Sequence, residues 1–359
     1  MLSGFHSMKK NSILKLIGLF LYLIIISGCE KNKSFSLTGT KQLTVYGDNG
    51  EAYFSSNNTH LVFQSKRHGD ECDKIYTMTS EGTNLQEFPV TDGAFTCSYY
   101  ALDDETIFFS STLHDGPDCP EVYRHPNPHK YIWPLRNFEI YSIDKNNVLK
   151  KLTHYPGYNA EATVHPVEEK IVFTSLRDGD IDLYEMNYDG TDVTRITQEF
   201  GYDGGAFYSP DGKKLVWRAW YPDTEAEKKQ WVKNLKNRYI EAVPLDIYVA
   251  NRDGSHKIRL TDNSATNWAP SWHPNGEYIV FSSNMDDWHS EHNTFGHNFE
   301  LYVIHIKTKD LQRLTYNNTF DSFPVFSKDG GKLVFSSNRN AENPRQTNIF
   351  ISEVEGGLR

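Results

Sequence analysis

The chain has 359 residues, 38% of them hydrophobic and 14% aromatic, with a formal net charge of −10. Its leader carries Lys9, Lys10 and Lys15 and no acid, so 34 of the 37 Lys and Arg remain against 47 Asp and Glu, and the mature part stands at −13. That excludes a counterion-release grip on nucleic acid, which needs clustered basic side chains, while the aromatic share suits a sheet-rich core. No G-x-S-x-G elbow, P-loop or dinucleotide fingerprint occurs, which argues against α/β-hydrolase, NTPase and Rossmann chemistry.

Met8-Lys9-Lys10 opens a basic region, and Leu16 to Ile26 is an apolar run too short to span a bilayer as a mature helix. Ile26-Ser27-Gly28-Cys29 follows and resembles a bacterial lipobox, in which Cys29 is diacylated and becomes the mature N-terminus. Residues 1–28 are therefore read as a lipoprotein signal peptide and 29–40 as a polar flexible tether. Acyl chains would hold the protein at a membrane surface. The expected location is the cell envelope, with the outer membrane favoured and the domain in the periplasm or outside the cell.

From residue 41 onward one unit recurs six times. A strand ends in Leu61-Val62-Phe63, Ile107-Phe108-Phe109, Ile171-Val172-Phe173, Leu215-Val216-Trp217, Ile279-Val280-Phe281 and Leu333-Val334-Phe335. A second follows through Ile75-Tyr76, Ile140-Tyr141, Leu183-Tyr184, Ile247-Tyr248, Leu301-Tyr302 and Ile349-Phe350. Leu152-Thr153, Ile196-Thr197, Leu260-Thr261 and Leu314-Thr315 close four copies. Self-similarity at this period with period-2 alternation predicts an all-β fold, a six-bladed β-propeller of four-stranded antiparallel blades spanning 41–359. Asp-Gly and Asn-Gly turns such as Asp211-Gly212 and Asn275-Gly276 supply the φ > 0 residues of tight hairpins.

The two ends of the array do not match. The sixth copy stops after its third strand, and Lys41 to Val45 stands before the first copy as an unpaired fourth strand. Pairing the two closes the ring and covers an edge.

Strand direction puts the b–c loop and d–a linker of every blade on one face and the a–b and c–d turns on the other. The long segments are all b–c loops: Ser111 to Asn137, Ala219 to Pro244 and Asn284 to Asn298. They carry Tyr131, Trp133, Trp231, Trp288, His125 and His129, the residues expected to form a binding face with walls around the tunnel mouth. Thr224-Glu225-Ala226-Glu227 resembles a capping box and predicts a helix.

Fourteen residues before each aromatic of the triplets stand Asn49, Phe95, Asn159, Asp203, Asn267 and Asp321, with Glu51 and Glu161 two residues later. Two readings stay open for these positions: strand starters that bond nearby amides, or an acidic collar at the tunnel mouth made by Glu51, Asn159, Glu161, Asp203, Asn267 and Asp321. Cys72, Cys97 and Cys119 fall on the loop-rich face, and Cys72–Cys119 is the preferred disulfide because both lie in neighbouring loops. His289, His292 and His297 are candidate ligands for a divalent metal.

Tyr208-Ser209-Pro210-Asp211-Gly212-Lys213-Lys214-Leu215-Val216-Trp217, Thr174-Ser175-Leu176-Arg177-Asp178-Gly179-Asp180 and Tyr202-Asp203-Gly204-Gly205-Ala206-Phe207 resemble the repeats of TolB-type propellers. The resemblance covers roughly residues 41–355 and implies a cell-envelope propeller that docks protein partners. The chain departs from that family in its lipobox and in having only a tether between Cys29 and Lys41. The expected function is a non-enzymatic, membrane-tethered, monomeric scaffold that needs no cofactor and binds an envelope protein, a peptide or a glycan through the loop-rich face. The alternative is an enzyme: some polysaccharide lyases have a related propeller with a metal centre, which here would use His289, His292 and His297.

Overall fold

The computed structural model describes residues 34–121, 123–125, 131–287, 298–318, 320–341, 343 and 346–357. Six four-stranded antiparallel sheets make up the body. In chain order their inner strands, a, are Asp48–Phe54, Phe95–Tyr100, Asn159–Val164, Tyr202–Tyr208, Asn267–Trp272 and Asp321–Phe326. Strand b of each blade carries the hydrophobic triplet in its first half and runs two to three residues beyond it, strand c carries the aliphatic-aromatic pair, and strand d is two or three residues long in blades 1 to 5.

The core is not one cluster but a series of seams between neighbouring blades. Val62 and Ile75 of blade 1 pack on Phe95 and Phe109 of blade 2, and equivalent clusters join every adjacent pair. The ring closes where Ala52, Phe63 and Tyr76 of blade 1 meet Val334 and Ile349 of blade 6. Triplet residues are wholly buried because strand b is covered on both faces by neighbouring sheets.

Blade 6 takes its outer strand from the other end of the chain: Ser36–Gln42 runs antiparallel to Asn348–Glu355, with Ser36 opposite Glu355 and Gln42 opposite Phe350. This strand begins inside the segment read as tether and ends before Val45. The structure explains the offset. In blades 2 to 5 the Thr of each Leu/Ile-Thr pair accepts, through Oγ1, the backbone N–H of strand c at Ile140, Leu183, Ile247 and Leu301, at 2.8–2.9 Å. Thr44 accepts from Ile349 in the same way at 2.9 Å. Leu43-Thr44 is therefore blade 6's copy of that pair, and the strand proper lies before it. Phe35 anchors the start: its N–H donates to Gln312 Oε1, and its ring packs on His273, Tyr278 and Phe326.

Candidate functional site

Each inner strand carries the same irregularity. The register slips between Gly50 and Tyr53, Thr96 and Tyr99, Ala160 and Thr163, Gly204 and Phe207, Trp268 and Ser271, and Ser322 and Val325. The residue at each slip is left-handed: Glu51 (φ 54°), Cys97 (50°), Glu161 (60°), Gly205 (62°), Ala269 (48°) and Phe323 (54°). Such bulges bend the strand and re-aim a side chain. Here they turn one residue per blade into the tunnel, where all six line a cavity of about 30 Å³, room for roughly one water. The positions lie two residues after the Asn/Asp/Phe series of the sequence, so Glu51 and Glu161 are two members of a six-membered ring.

The series itself lies elsewhere. Asn159, Asp203, Asn267 and Asp321 are wholly buried, which favours the strand-starting reading over the acidic collar at these four positions. Asn159 accepts from Ser175 Oγ at 2.7 Å and from Arg177 Nη2 at 3.2 Å. Asn49 does the same with Ser65 and Arg67, and Asp321 pairs with Arg339 Nη2 at 2.5 Å. Asn267 accepts from Ser283. Asp203, with no arginine at the matching place, accepts from Trp217 Nε1 and Tyr221 Oη, both at 2.6 Å. Burial pushes its carboxyl up to about 7 against those two donors. These side chains tie the end of strand b to the start of strand a, and the asparagines also donate to the preceding blade, Asn49 to Thr347 O, Asn159 to Phe138 O and Asn267 to Leu245 O.

Inside the tunnel one cation answers two acids. Arg218, on strand b of blade 4 (Lys214–Trp220), is 5% exposed and donates through Nη2 to Glu161 Oε1. Glu161 Oε2 also accepts from Gly205 N at 2.9 Å and Thr174 Oγ1 at 2.7 Å. Gly205 is what admits the guanidinium: a Cβ there would lie 1.6 Å from Arg218 Nη1. Burial opposes the charge on Arg218, yet the Glu161 carboxylate holds its proton above the ordinary value. Glu51 has no such partner for Oε2. Burial raises its carboxyl to about 7 and the charge of Glu161 adds to the rise. The Cys97 thiol is pushed well up by burial and by the same two carboxylates, so it is a poor nucleophile.

Aromatic side chains crowd both ends of this cavity. On the short-turn side Tyr53, Tyr99 and Phe207 meet with ring centres 5.3–6.2 Å apart. On the loop side Arg218 lies 3.9 Å from the centre of the Trp268 ring, and Trp133 stacks on Trp268 at 5.0 Å with planes 5° apart. Trp133 belongs to the blade-2 insertion, which pairs as Ile132–Pro134 with Tyr239–Glu241 of the blade-4 insertion. The two insertions therefore make a ribbon, and Trp133 reaches from it to blade 5. They roof the tunnel at Trp268, where walls around an open mouth were expected.

The named loop residues divide. Tyr131 is 51% exposed, Trp133 is half-buried in the roof, and His125 lies beside the Tyr239 ring with Nε2 3.9 Å from Glu241 Oε1. Trp231 is 2% exposed and donates Nε1–H to Asp180 at 2.7 Å, which removes it from any exposed face. The helix Glu225–Lys236, capped by Thr224 and Glu227, turns Trp231 and Leu235 inward onto blade 3. Trp231 and Leu235, four residues apart, form the packing stripe of the helix. Cys72 and Cys119 form a disulfide between the blade-1 and blade-2 loops. Cys29, His129, Trp288, His289, His292 and His297 lie outside the described residues. Among the described residues no group of three or more His, Cys, Asp or Glu side chains is placed to hold a metal ion.

One feature of the surface was missed in the sequence. The aromatics exposed by more than a third among the described residues are Tyr46, Tyr123, Tyr131, Tyr155, Phe200 and Tyr316. Tyr123 and Tyr131 sit in a b–c insertion and the other four in d–a linkers, so all six are on one face. The opposite face exposes aliphatics such as Leu85, Val148, Val167 and Val193. The Leu/Ile-Thr pair could have located three of them, since Tyr46, Tyr155 and Tyr316 follow its Thr by one or two residues.

No family model matches the chain. An uncharacterised protein of Agrobacterium fabrum is 26% identical over 178 residues, 47% of this chain and 52% of that one. The Tol-Pal system protein TolB of Francisella tularensis is 31% identical over 126 residues, 34% of this chain and 25% of TolB. The chain thus matches about half or less of the length of these curated relatives. Among solved structures, TolB of Acinetobacter baumannii aligns with a TM-score of 0.53 at 17% identity, covering 87% of this chain and 64% of that one. An oligogalacturonate lyase of Vibrio parahaemolyticus aligns at 0.51 with 13% identity over 90% and 97%; at those identities the likeness is one of fold.

Proposed function

We propose that this chain, a TolB-like six-bladed β-propeller, is a binding scaffold of the bacterial cell envelope, held to a membrane by acylated Cys29. Its loop-rich face takes a protein or peptide, or a glycan. The observation that carries the reading is the confinement of the exposed aromatics to that face. Tyrosine brings large rigid contact area at low entropic cost and is enriched where proteins bind. The tunnel supports the same reading by exclusion of size: roofed by Trp133 and Trp268 and plugged by Tyr53, Tyr99 and Phe207, it leaves about 30 Å³, too little for a sugar or a side chain. Binding is therefore assigned to the rim and roof and not to the bore. The lipobox and the TolB relatives support the envelope location; the outer membrane is our proposed anchor site.

The test is a crosslinking pull-down from membranes with Tyr131, Tyr155 and Tyr316 all changed to Ser. Loss of the captured partner with an unchanged thermal midpoint is expected; full retention overturns the assignment. Metal analysis of the purified protein decides the lyase alternative, which requires a stoichiometric divalent ion.

A further inference from the structure

The chain enters the ring from a defined side. Ser36 pairs with Glu355, at the c–d end of blade 6, and the strand then runs toward the loop-rich face. Phe35 is 4% exposed and packs on His273, Tyr278 and Phe326, all beside a–b turns. Gln312 holds it on both sides, accepting from its N–H at 2.9 Å and donating Nε2–H to its carbonyl at 2.6 Å. Gly357 (φ +64°) leaves space for the ring, since a Cβ there would lie 2.6 Å from Phe35 Cε1. The polypeptide is thus pinned at the short-turn face from residue 35 onward. Glu30 to Ser34, five residues, are all that separates this point from Cys29, a span of at most about 22 Å fully extended.

We infer that the propeller stands on its short-turn face: the a–b and c–d turns are apposed to the lipid surface, and the loop-rich face is presented away from it. This rests on the acylation of Cys29 proposed above. A strand of six residues is about 20 Å long and the blade-2 and blade-4 insertions add depth on the loop-rich side, so a tether of at most about 22 Å is spent before the domain can turn over. The apposed face does not insert. It exposes Glu105, Glu169, Asp189 and Asp192 beside Lys145, Lys213, Lys307 and Lys309, charged side chains that stay in water at the headgroup level, and none of the exposed aromatics that anchor at a membrane interface. The acyl chains are the hold, and the binding face is left free for a partner at a distance from the bilayer.

Energy transfer in vesicles of phosphatidylethanolamine and phosphatidylglycerol tests the orientation, using the full acylated protein and an acceptor dye on the headgroups. A donor is placed on Asn146→Cys, in a c–d turn, or on Asp92→Cys, in a d–a linker of the facing side. Cys72 and Cys119 are paired and Cys97 lies in the tunnel, so the introduced thiol takes the label. Stronger transfer from position 146 is expected. Inserting about 20 Gly/Ser residues between Ser34 and Phe35, roughly 25 Å of mean reach, should erase the difference. Equal or stronger transfer from position 92 overturns the orientation. The mass of the N-terminal peptide separates the two readings: unmodified Cys29 overturns both, whereas acylated Cys29 with equal transfer overturns only the orientation.

Discussion

The two faces of the ring are made by the same hairpins and have opposite characters. On the short-turn face every blade turns within a few residues, often through Asp-Gly or Asn-Gly, and neighbouring blades interlock there. His165 Nδ1 accepts from the amides of its own turn while Nε2 meets Gly212 O of the next blade at 3.2 Å. On the loop-rich face two insertions of about 26 residues are tolerated because a b–c loop lies outside the seams that close the ring. Closure therefore constrains one side and leaves the other open to variation, and the exposed aromatics, the disulfide and the roof all occur on the open side.

Experiments can break that contrast. The largest effect is expected from Arg218→Ala, which strands the Glu161 carboxylate inside the tunnel and should cost about 4 kcal/mol in urea unfolding. A loss below about 1 kcal/mol would mean the Glu161–Arg218 pair is not sealed from water. Next is removal of the disulfide by Cys72→Ser with Cys119→Ser. It frees a loop with a sequence separation of 47 and should cost up to about 4 kcal/mol by loop-closure entropy, with the short-turn face keeping its hydrogen-exchange protection. Phe35→Ala should cost about 3 kcal/mol and speed exchange along Asn348–Glu355; unaltered exchange there would mean the blade closes without its anchor.

The last effect concerns pH. Glu51 has a folded pKa of about 7 against an ordinary 4.5. Across that window the folded state holds a proton that the unfolded state has released, so stability falls as pH rises from about 4.5 to 7 and then levels off. Burial raises Asp203 in the same sense, so part of the slope stays when Glu51 is replaced. Glu51→Gln should have a higher thermal midpoint than the parent at pH 8 and nearly the same one at pH 5. Parallel pH profiles of the two proteins would show that Glu51 is solvated after all.

The sequence by itself determined the blade count, the strand order within each blade, the pairing of the two chain ends and the side on which the insertions emerge. Those features follow from local alternation, turn chemistry and strand direction, all of which recur six times. Only the tertiary structure decided which residues see the tunnel: a bulge at the same place in each inner strand sends position 51 and its equivalents inward and leaves Asn159, Asp203 and Asp321 sealed against their own strand b. It also decided that Trp231 is core, since an indole N–H finds Asp180 only when the helix folds back onto blade 3, and that insertions distant in sequence meet as one ribbon. The physical reason is the same in each case. Side-chain direction at a bulge, and the partner of a long loop, depend on groups brought together from other blades, about which a strand's own sequence carries no information.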